Sequence, residues 1–277
     1  MESFLKIITA ETRERVRRSK ARLPVSKIEE VIKSSENNAS PIDFAGAVFD
    51  KKNSTLPAII AESKKASPSH GVIRPLYSVK EIVSSYVKSG AKAISVLTEE
   101  NHFEGDIYHL LEAREAAATS IPILRKDFII DEYQIYESRY YGADAVLLIK
   151  AIIPDDEFHQ LSYAANNNAG LQILAEVRDE KELRWILDSK IKCVVGVNSR
   201  NLDDLTVNQD RALALISLIP DDIPVVAESG IKSSADILRV LKIRKNNIAF
   251  LIGTAFLTHL DPGVPLREII SEVSASV

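Results

Sequence analysis

Residues 58–71, which read AIIAESKKASPSHG, decide how the rest of the chain is interpreted. The first four residues are apolar, as expected for a parallel strand that is buried on both faces. Glu62 and Lys64 follow two positions apart, so their side chains point to the same face of an extended strand. A turn-rich segment, 67–71, comes next. An isolated pair of this kind is usually a structural ion pair of small energetic value, but the pattern recurs along the chain.

A unit of strand, loop and helix repeats eight times after residue 57. The predicted strands are 58–61, 93–97, 122–125, 145–149, 171–175, 193–197, 224–227 and 248–252. The predicted helices are 79–89, 105–118, 132–141, 155–168, 179–188, 208–218, 233–241 and 264–274. Gly90, Gly142 and Gly170 stand just after helices, where a left-handed cap is needed.

Eight alternations predict an α/β fold, namely a closed (β/α)8 TIM barrel over residues 57–277. The alternative is an open doubly wound sheet. Such a sheet usually carries G-x-G-x-x-G after its first strand, and this sequence has no such motif there. We therefore expect a single TIM-barrel domain, 1–277.

Residues 1–50 differ from the repeats and predict an N-terminal helical extension. Helices are expected at about 3–20 and 41–50, with a polar linker at 34–38. The basic cluster at 13–20 is interleaved with acidic residues, which favours a solvated helix face over a nucleic-acid patch.

The composition is that of an ordinary globular protein. Of 277 residues, 45% are hydrophobic and 27% are charged, and the net charge of −4 gives no general field for nucleic acid. The single cysteine, Cys193, excludes an internal disulfide and a cysteine metal cluster, and we expect it to pack in the core. No run reaches the roughly 18 apolar residues of a membrane span, so we expect a cytoplasmic protein with no membrane partner.

Ionisable side chains follow five of the eight predicted strands. They are Glu62 and Lys64 after the first, Lys126 after the third, Glu176 after the fifth, Arg200 after the sixth and Glu228 after the seventh. Because active sites of TIM barrels lie at the carboxyl ends of the strands, these side chains are expected to converge on one site.

The ends of the seventh and eighth strands predict a phosphate site. Ser229-Gly230 and Gly253-Thr254 are small residues whose backbone amides can approach a ligand closely. Loops after these two strands often hold phosphate in this architecture, with helix N-termini directed at the anion. We expect phosphate to bind Gly230, Gly253 and Thr254, and a side chain added at either glycine to obstruct it.

Several stretches resemble the indole-3-glycerol phosphate synthase family. Residues 61–69 resemble its A-E-x-K-x-x-S-P-S signature, and residues 124–128 read LRKDF, also as in the family. The other matching stretches, in the same order as in the family, are 94–100, 103–105, 144–149, 175–177, 196–202, 227–231 and 250–254. Ser63 and His70 depart from the family's usual residues.

The resemblance implies a step of tryptophan biosynthesis that uses no metal and no organic cofactor. The substrate is 1-(2-carboxyphenylamino)-1-deoxy-D-ribulose 5-phosphate, a small-molecule phosphosugar, which closes a ring and loses carbon dioxide and water. Lys126 matches the general acid, and Glu176 and Glu62 are the candidates for base and acid in the later steps. Lys64 matches a lysine that contacts the anionic substrate and assists catalysis.

The remaining implied roles concern substrate binding. Arg200 matches a substrate-binding arginine, and Asn198 orients a ligand hydroxyl or a neighbouring side chain. Ser67 belongs to the signature, while Glu228 and Ser229 complete the ring of polar groups. Phe128 and Leu148 are expected to form an apolar slot for the anthranilate ring.

Two alternatives stay open. Phosphoribosylanthranilate isomerase would share the phosphate site, but it normally uses a Cys/Asp pair, and Cys193 is expected at the wrong end of its strand. A non-catalytic phosphosugar-binding barrel would be expected to lack Lys126 or Glu176. The sequence fits a monomer or a homodimer equally well.

Overall fold

The computed structural model describes residues 3–34, 40–49, 57–119 and 121–277, so the predicted linker at 34–38 falls outside it beyond Ser34. Ser34 itself is helical. None of the helices described is both long enough and apolar enough to cross a bilayer.

Eight parallel strands close into a barrel, which confirms the predicted fold. They are β1 (Ala58–Ser63), β2 (Ala93–Leu97), β3 (Ile123–Lys126), β4 (Ala145–Ile149), β5 (Gln172–Val177), β6 (Val194–Asn198), β7 (Val225–Glu228) and β8 (Ile248–Ile252). Each strand pairs with its sequence neighbours, and β8 closes on β1 with Ala249 opposite Ala58.

The strands alternate between two apolar layers because successive side chains point to opposite faces. Ile60, Leu147 and Leu174 pack inside the barrel. Ile59 and Val146 pack outward against the helices. Both faces are buried, which is why the strands read as nearly continuous apolar runs.

The helices cover the barrel in the predicted order, with one short additional helix, Thr254–Leu257, that was not predicted. They are α4 (Val79–Lys88), α5 (His109–Ala117), α6 (Glu132–Tyr140), α7 (Asp155–Tyr163), α8 (Glu180–Ser189), α9 (Gln209–Leu218), α10 (Ser234–Leu241), α11 (Thr254–Leu257) and α12 (Gly263–Ser274). Side chains of Ser78, Asp131, Asp179 and Asn208 accept hydrogen bonds from first-turn amides and cap four of them.

Two local details depart from the prediction. The helix expected over 155–168 changes at Ala164–Ala169 into a π-helical segment that reads AANNNA, and asparagine is a weak helix former. The loop after β1 contains a small antiparallel pair, Ala66–Ser67 with Gly71–Val72. Gly90, Gly142 and Gly170 have positive φ, as expected of helix C-caps.

The described part of the N-terminal extension contains three helices, where two were predicted: α1 (Phe4–Arg22), α2 (Val25–Ser34) and α3 (Phe44–Phe49). The missed helix, α2, packs on α6 and buries Ile28 completely. The apolar residues of α2 share one face, but they are few and are flanked by many charged residues. The sequence pattern therefore did not reveal this helix.

The third helix lies at the amino-terminal end of the barrel, opposite the strand ends that carry charge. Ile42 N donates to Asp144 Oδ1 at 2.8 Å, just before β4, and Ala45 N donates to Gln172 Oε1 at 2.8 Å, at the start of β5. Phe44 and Val48 pack into the interior cluster. The extension therefore reaches both ends of the barrel.

Candidate active site

The carboxyl ends of the strands open into a cavity of about 980 Å³. This volume is in the range of small-molecule sites. The predicted ionisable residues all line the cavity, together with Asn198, Ser67, Phe128 and the small residues after β7 and β8.

Lys126 occupies the centre of the polar floor. Its Nζ lies 3.2 Å from Glu176 Oε2 and 3.1 Å from Glu228 Oε2, and the second contact is ionic rather than a well-aligned hydrogen bond. All three residues stand at strand ends, where the sheet holds the backbone rigidly. Burial lowers the pKa of Lys126, but Glu228, Glu176 and Glu62 outweigh that effect and raise it above its usual value.

Glu228 is a buried carboxyl group beside two others. Burial raises its pKa to about 8; Lys126 opposes the rise and the negative charges of Glu176 and Glu62 add to it. The floor therefore combines a cation, Lys126, with a carboxyl group whose pKa is raised.

Glu62 and Lys64 form the second charged group of the site. Lys64 Nζ contacts Glu62 Oε1 at 2.5 Å, and both side chains are largely buried. The same-face geometry expected from their spacing is therefore present. An ammonium and a carboxylate in contact at a cavity wall are equipped to give and accept protons.

Two glycines make room for the carboxylates. A Cβ on Gly253 would lie 2.5 Å from Glu62 Oε1, and a Cβ on Gly196, inside β6, would lie 2.3 Å from Glu228 Oε1. Gly253 was expected to give a ligand access to its backbone amide. The structure adds a second reason for a glycine at this position, because a side chain there would clash with Glu62. Gly196 was missed, although a glycine inside a strand signals close approach of another group.

Asn198 and Arg200 shape the wall that follows β6. Asn198 Oδ1 accepts a hydrogen bond from Arg200 N at 2.9 Å, and the Arg200 guanidinium donates to Leu205 O at 2.8 Å. Both residues line the cavity. Asn198 thus holds the backbone of a neighbouring residue, while the expected role toward a ligand hydroxyl or a neighbouring side chain stays a prediction.

The small residues after β7 and β8 lie on one side of the cavity, because these two strands are neighbours. Ser229 and Gly230 both have positive φ, 62° and 70°. The start of α10 is closed by its own capping box, in which Asp236 accepts from the amides of Lys232 and Ser233. The amides of Lys232 and Ser233, and that of Asp236, are therefore already paired within the capping box.

Ser67 is buried at the cavity edge. Among the residues that the structure describes, its Oγ has no hydrogen-bond partner. A buried hydroxyl without a partner is costly, so this atom is suited to a polar group of a ligand.

Leu148 does not belong to the site, and the expectation for it was wrong. Its side chain is fully buried between the sheet and the helices. Its neighbours Leu147 and Ile149 point the other way and line the cavity. The prediction was displaced by one residue along the strand, and such a shift moves a side chain to the opposite face of the sheet.

The apolar wall also includes residues that the sequence did not single out. They are Phe4, Phe103, Leu147, Ile149, Leu202 and Leu251. The rings of Phe103 and Phe128 are 6.4 Å apart, and Phe4 comes from the N-terminal extension. Alternation does not mark Leu147 and Leu251, because β4 and β8 are apolar on both faces. No local sequence pattern brings Phe4 from the N-terminal helix to this wall.

Comparison of the sequence with known proteins gives a consistent result. The sequence model of the family described as indole-3-glycerol phosphate synthase matches residues 5–269. An indole-3-glycerol phosphate synthase of Polaromonas sp. is 40% identical over 269 residues, which cover 97% of this chain and 98% of that protein. One from Polynucleobacter necessarius is 43% identical over 231 residues, covering 83% and 84%.

Comparison of the fold gives more distant relatives. 3-Hexulose-6-phosphate synthase from Salmonella typhimurium superimposes with a TM-score of 0.62 at 14% identity, covering 79% of this chain and 99% of that one. Thiamine phosphate pyrophosphorylase from Pyrococcus furiosus gives a TM-score of 0.55 at 19% identity, with coverage of 79% and 97%. These similarities concern the barrel fold alone.

Proposed function

The chain belongs to the indole-3-glycerol phosphate synthase family, and from this premise we propose how its own side chains carry out the reaction. The enzyme is a carboxy-lyase of tryptophan biosynthesis. It closes the ring of 1-(2-carboxyphenylamino)-1-deoxy-D-ribulose 5-phosphate and releases carbon dioxide and water. The observation that carries the assignment of roles is Lys126, held between two buried carboxyl groups at the centre of the cavity.

Ring closure puts negative charge on the ribulose carbonyl oxygen as the aryl carbon attacks the carbonyl carbon. Lys126 is the group that meets this oxygen, first as a fixed positive charge and hydrogen-bond donor. The raised pKa makes its ammonium a reluctant proton donor in the free enzyme. Its acidity increases when a new hydrogen-bond partner draws it away from Glu176 and Glu228, so proton transfer accompanies bond formation.

The later steps need one proton removed from the anilino nitrogen and one delivered to the departing hydroxyl. Glu176 and Glu62 lie on different sides of Lys126, on β5 and β1, and are the candidates for these transfers. Lys64, in contact with Glu62, supplies a proton donor and a positive charge at the same wall. Glu228 lies 3.1 Å from Lys126 and helps to hold it in place, and burial raises the pKa of Glu228 to about 8.

The substrate lies across the cavity. Its phosphate binds the loops containing Ser229, Gly230, Gly253 and Thr254, and its aromatic ring lies against the wall that contains Phe103 and Phe128. Arg200 and Lys64 line the same cavity and offer cations to the substrate carboxylate and phosphate.

The test adds the carboxyphenylamino-deoxyribulose phosphate to the purified protein and follows indole fluorescence. We expect turnover in the presence of a chelator, since the proposed roles need only side chains. Glu62→Gln and Glu176→Gln should differ in the species that accumulates, because only the variant that is blocked in dehydration builds up a ring-closed, decarboxylated intermediate. Absence of indole formation by the folded wild-type protein would contradict the assignment. Light scattering during chromatography distinguishes a monomer from a homodimer.

A further inference from the structure

The N-terminal helix α1 crosses the carboxyl-terminal end of the barrel and inserts one cation behind the reacting centre. Arg15 Nη2 lies 2.6 Å from Asp127 Oδ1, and its Nη1 lies 3.4 Å from Thr98 O. The Arg15 side chain is 12% exposed, and that of Asp127 is fully buried. This is the most buried ion pair that α1 makes within the described residues.

Asp127 stands between two residues of the site, Lys126 and Phe128. Its carboxylate accepts four hydrogen bonds, two on each oxygen. Oδ1 accepts from Arg15 Nη2 and from Phe128 N, at 2.6 and 2.8 Å. Oδ2 accepts from Thr98 Oγ1 and Arg125 Nη2, at 2.6 and 2.9 Å. A carboxylate with every lone-pair direction used fixes the backbone on both sides of it.

Of these partners, only Arg15 comes from outside the barrel. Arg125 is held in addition by Glu137, at 2.9 Å, and Thr98 follows β2. The carboxylate would keep these partners if Arg15 were lost, but the oxygen that also binds Phe128 N would lose its charged donor. Burial acts to raise the pKa of Asp127, but the two guanidinium groups outweigh it and hold that pKa well below its usual value.

We infer that Arg15 is a positioning residue for Lys126, acting through Asp127, so that the N-terminal extension sets the geometry of the acid as well as covering the cavity. The inference rests on the proposed role of Lys126. Displacement of a catalytic group by a fraction of an ångström is sufficient to slow a reaction severely.

The test compares Arg15→Met, which keeps an unbranched apolar stem and removes the guanidinium, with Lys20→Met. Lys20 lies on the same helix and forms an exposed ion pair with Asp131 at 2.8 Å, so its variant controls for loosening of α1. We expect Arg15→Met to lower kcat about tenfold with a smaller change in KM, and Lys20→Met to stay within about twofold of the wild type. Arg15→Lys should retain part of the kcat that Arg15→Met loses, because lysine keeps the positive charge although it lacks the planar guanidinium group.

A double variant separates positioning from general stability. In a Lys126→Ala background, Arg15→Met should cost less than about twofold in the residual kcat, because the group that it positions is gone. An equal tenfold cost in both backgrounds, or a lowered Tm with unchanged kcat, would overturn the inference. So would equal kinetic effects of Arg15→Met and Lys20→Met.

The same set of variants distinguishes this inference from the proposed function. An inactive Lys126→Ala enzyme beside an Arg15→Met enzyme with wild-type kcat would overturn the role of Arg15 alone. Full turnover by Lys126→Ala would overturn the role of Lys126, and the role of Arg15 with it.

Discussion

At the scale of single residues, the site is defined by one cation among three carboxyl groups. Lys126 contacts Glu176 and Glu228, and Glu62 is near enough to contribute to the raised pKa values. A buried charge is tolerated only when it is paired, and here the pairing also prepares the cation for a developing oxyanion.

Replacing Lys126 removes that cation. We expect Lys126→Ala to lose at least about 10²-fold in kcat, the usual range for a positioned acid. Steady-state kinetics of the purified variant check this, with circular dichroism to confirm folding. Near-wild-type turnover by the folded variant would exclude Lys126 from the mechanism.

Glu228 makes stability depend on pH. Its folded pKa, about 8, lies above the ordinary 4.5, so the folded protein holds a proton that the unfolded chain has lost. Stability therefore falls as pH rises through that window. Glu228→Gln removes the effect, and we expect its Tm to exceed that of the wild type by about 3 °C or more at pH 8 and by much less at pH 5. A Tm difference that does not change with pH would contradict the raised pKa.

Thr254 provides a mild test of the phosphate site. Thr254→Val keeps the size of the side chain and removes its hydroxyl. We expect it to weaken inhibition by inorganic phosphate about 3- to 10-fold, the loss of one hydrogen bond worth about 1 kcal/mol. Binding of a dephosphorylated substrate analogue should stay unchanged. Equal weakening of both ligands would place the phosphate elsewhere. Gly253→Val is unsuitable here, because the new side chain would displace Glu62.

At the scale of elements, the paired strands themselves contain part of the site. Five polar residues of the site lie within the paired strands, although they were expected just beyond the strand ends. They are Glu62, Lys126, Glu176, Asn198 and Glu228. Backbone pairing continues through these polar residues, as where Asn198 lies opposite Glu228 in the ladder.

Gly196 tests this reliance on strand geometry. A methyl group there would meet Glu228 Oε1, so Gly196→Ala is expected to push Glu228 away from Lys126. We expect kcat to fall at least about tenfold, since a misplaced catalytic contact is costly. An inhibitor titration and a melting curve separate this loss from unfolding. Wild-type kcat would show that Glu228 is not needed at its present position.

The elements were predictable to different degrees for physical reasons. The eight strands and the helices that cover them followed from apolar runs and turn residues, with ends displaced by a few positions at most. Leu148 was misassigned because, in a strand buried on both faces, hydrophobicity does not indicate which face points inward. Arg15 and Phe4 reach the site only through packing of distant segments, which leaves no local pattern.

At the scale of the whole molecule, the extension closes both ends of the barrel. Phe4 of α1 lines the cavity at the carboxyl end, and Phe44 of α3 is fully buried in the interior cluster at the other end. Of the two helices predicted in the extension, α1 therefore reaches the cavity, and α3 packs at the other end of the barrel. At each end of the barrel, apolar interior side chains would be exposed to water unless another segment packed over them.

The two ends should respond differently to truncation of an aromatic ring. Phe44→Ala is expected to lower stability by about 3–5 kcal/mol and to leave KM nearly unchanged, because it opens a cavity far from the substrate. Phe4→Ala is expected to raise KM with a small change in Tm. Chemical denaturation and steady-state kinetics on both variants measure these effects. A raised KM in Phe44→Ala would show that α3 communicates with the site.

The crossing of α1 over the cavity also sets an order of assembly during synthesis. The helix leaves the ribosome first, but its partners are made much later: His102, Asp127 and finally Asp203, which contacts Ser3. Contacts between such distant positions form late, since closure of a long loop opposes them. The first helix to be translated is thus among the last to dock, and a nascent chain acquires a working acid only when most of the barrel already exists.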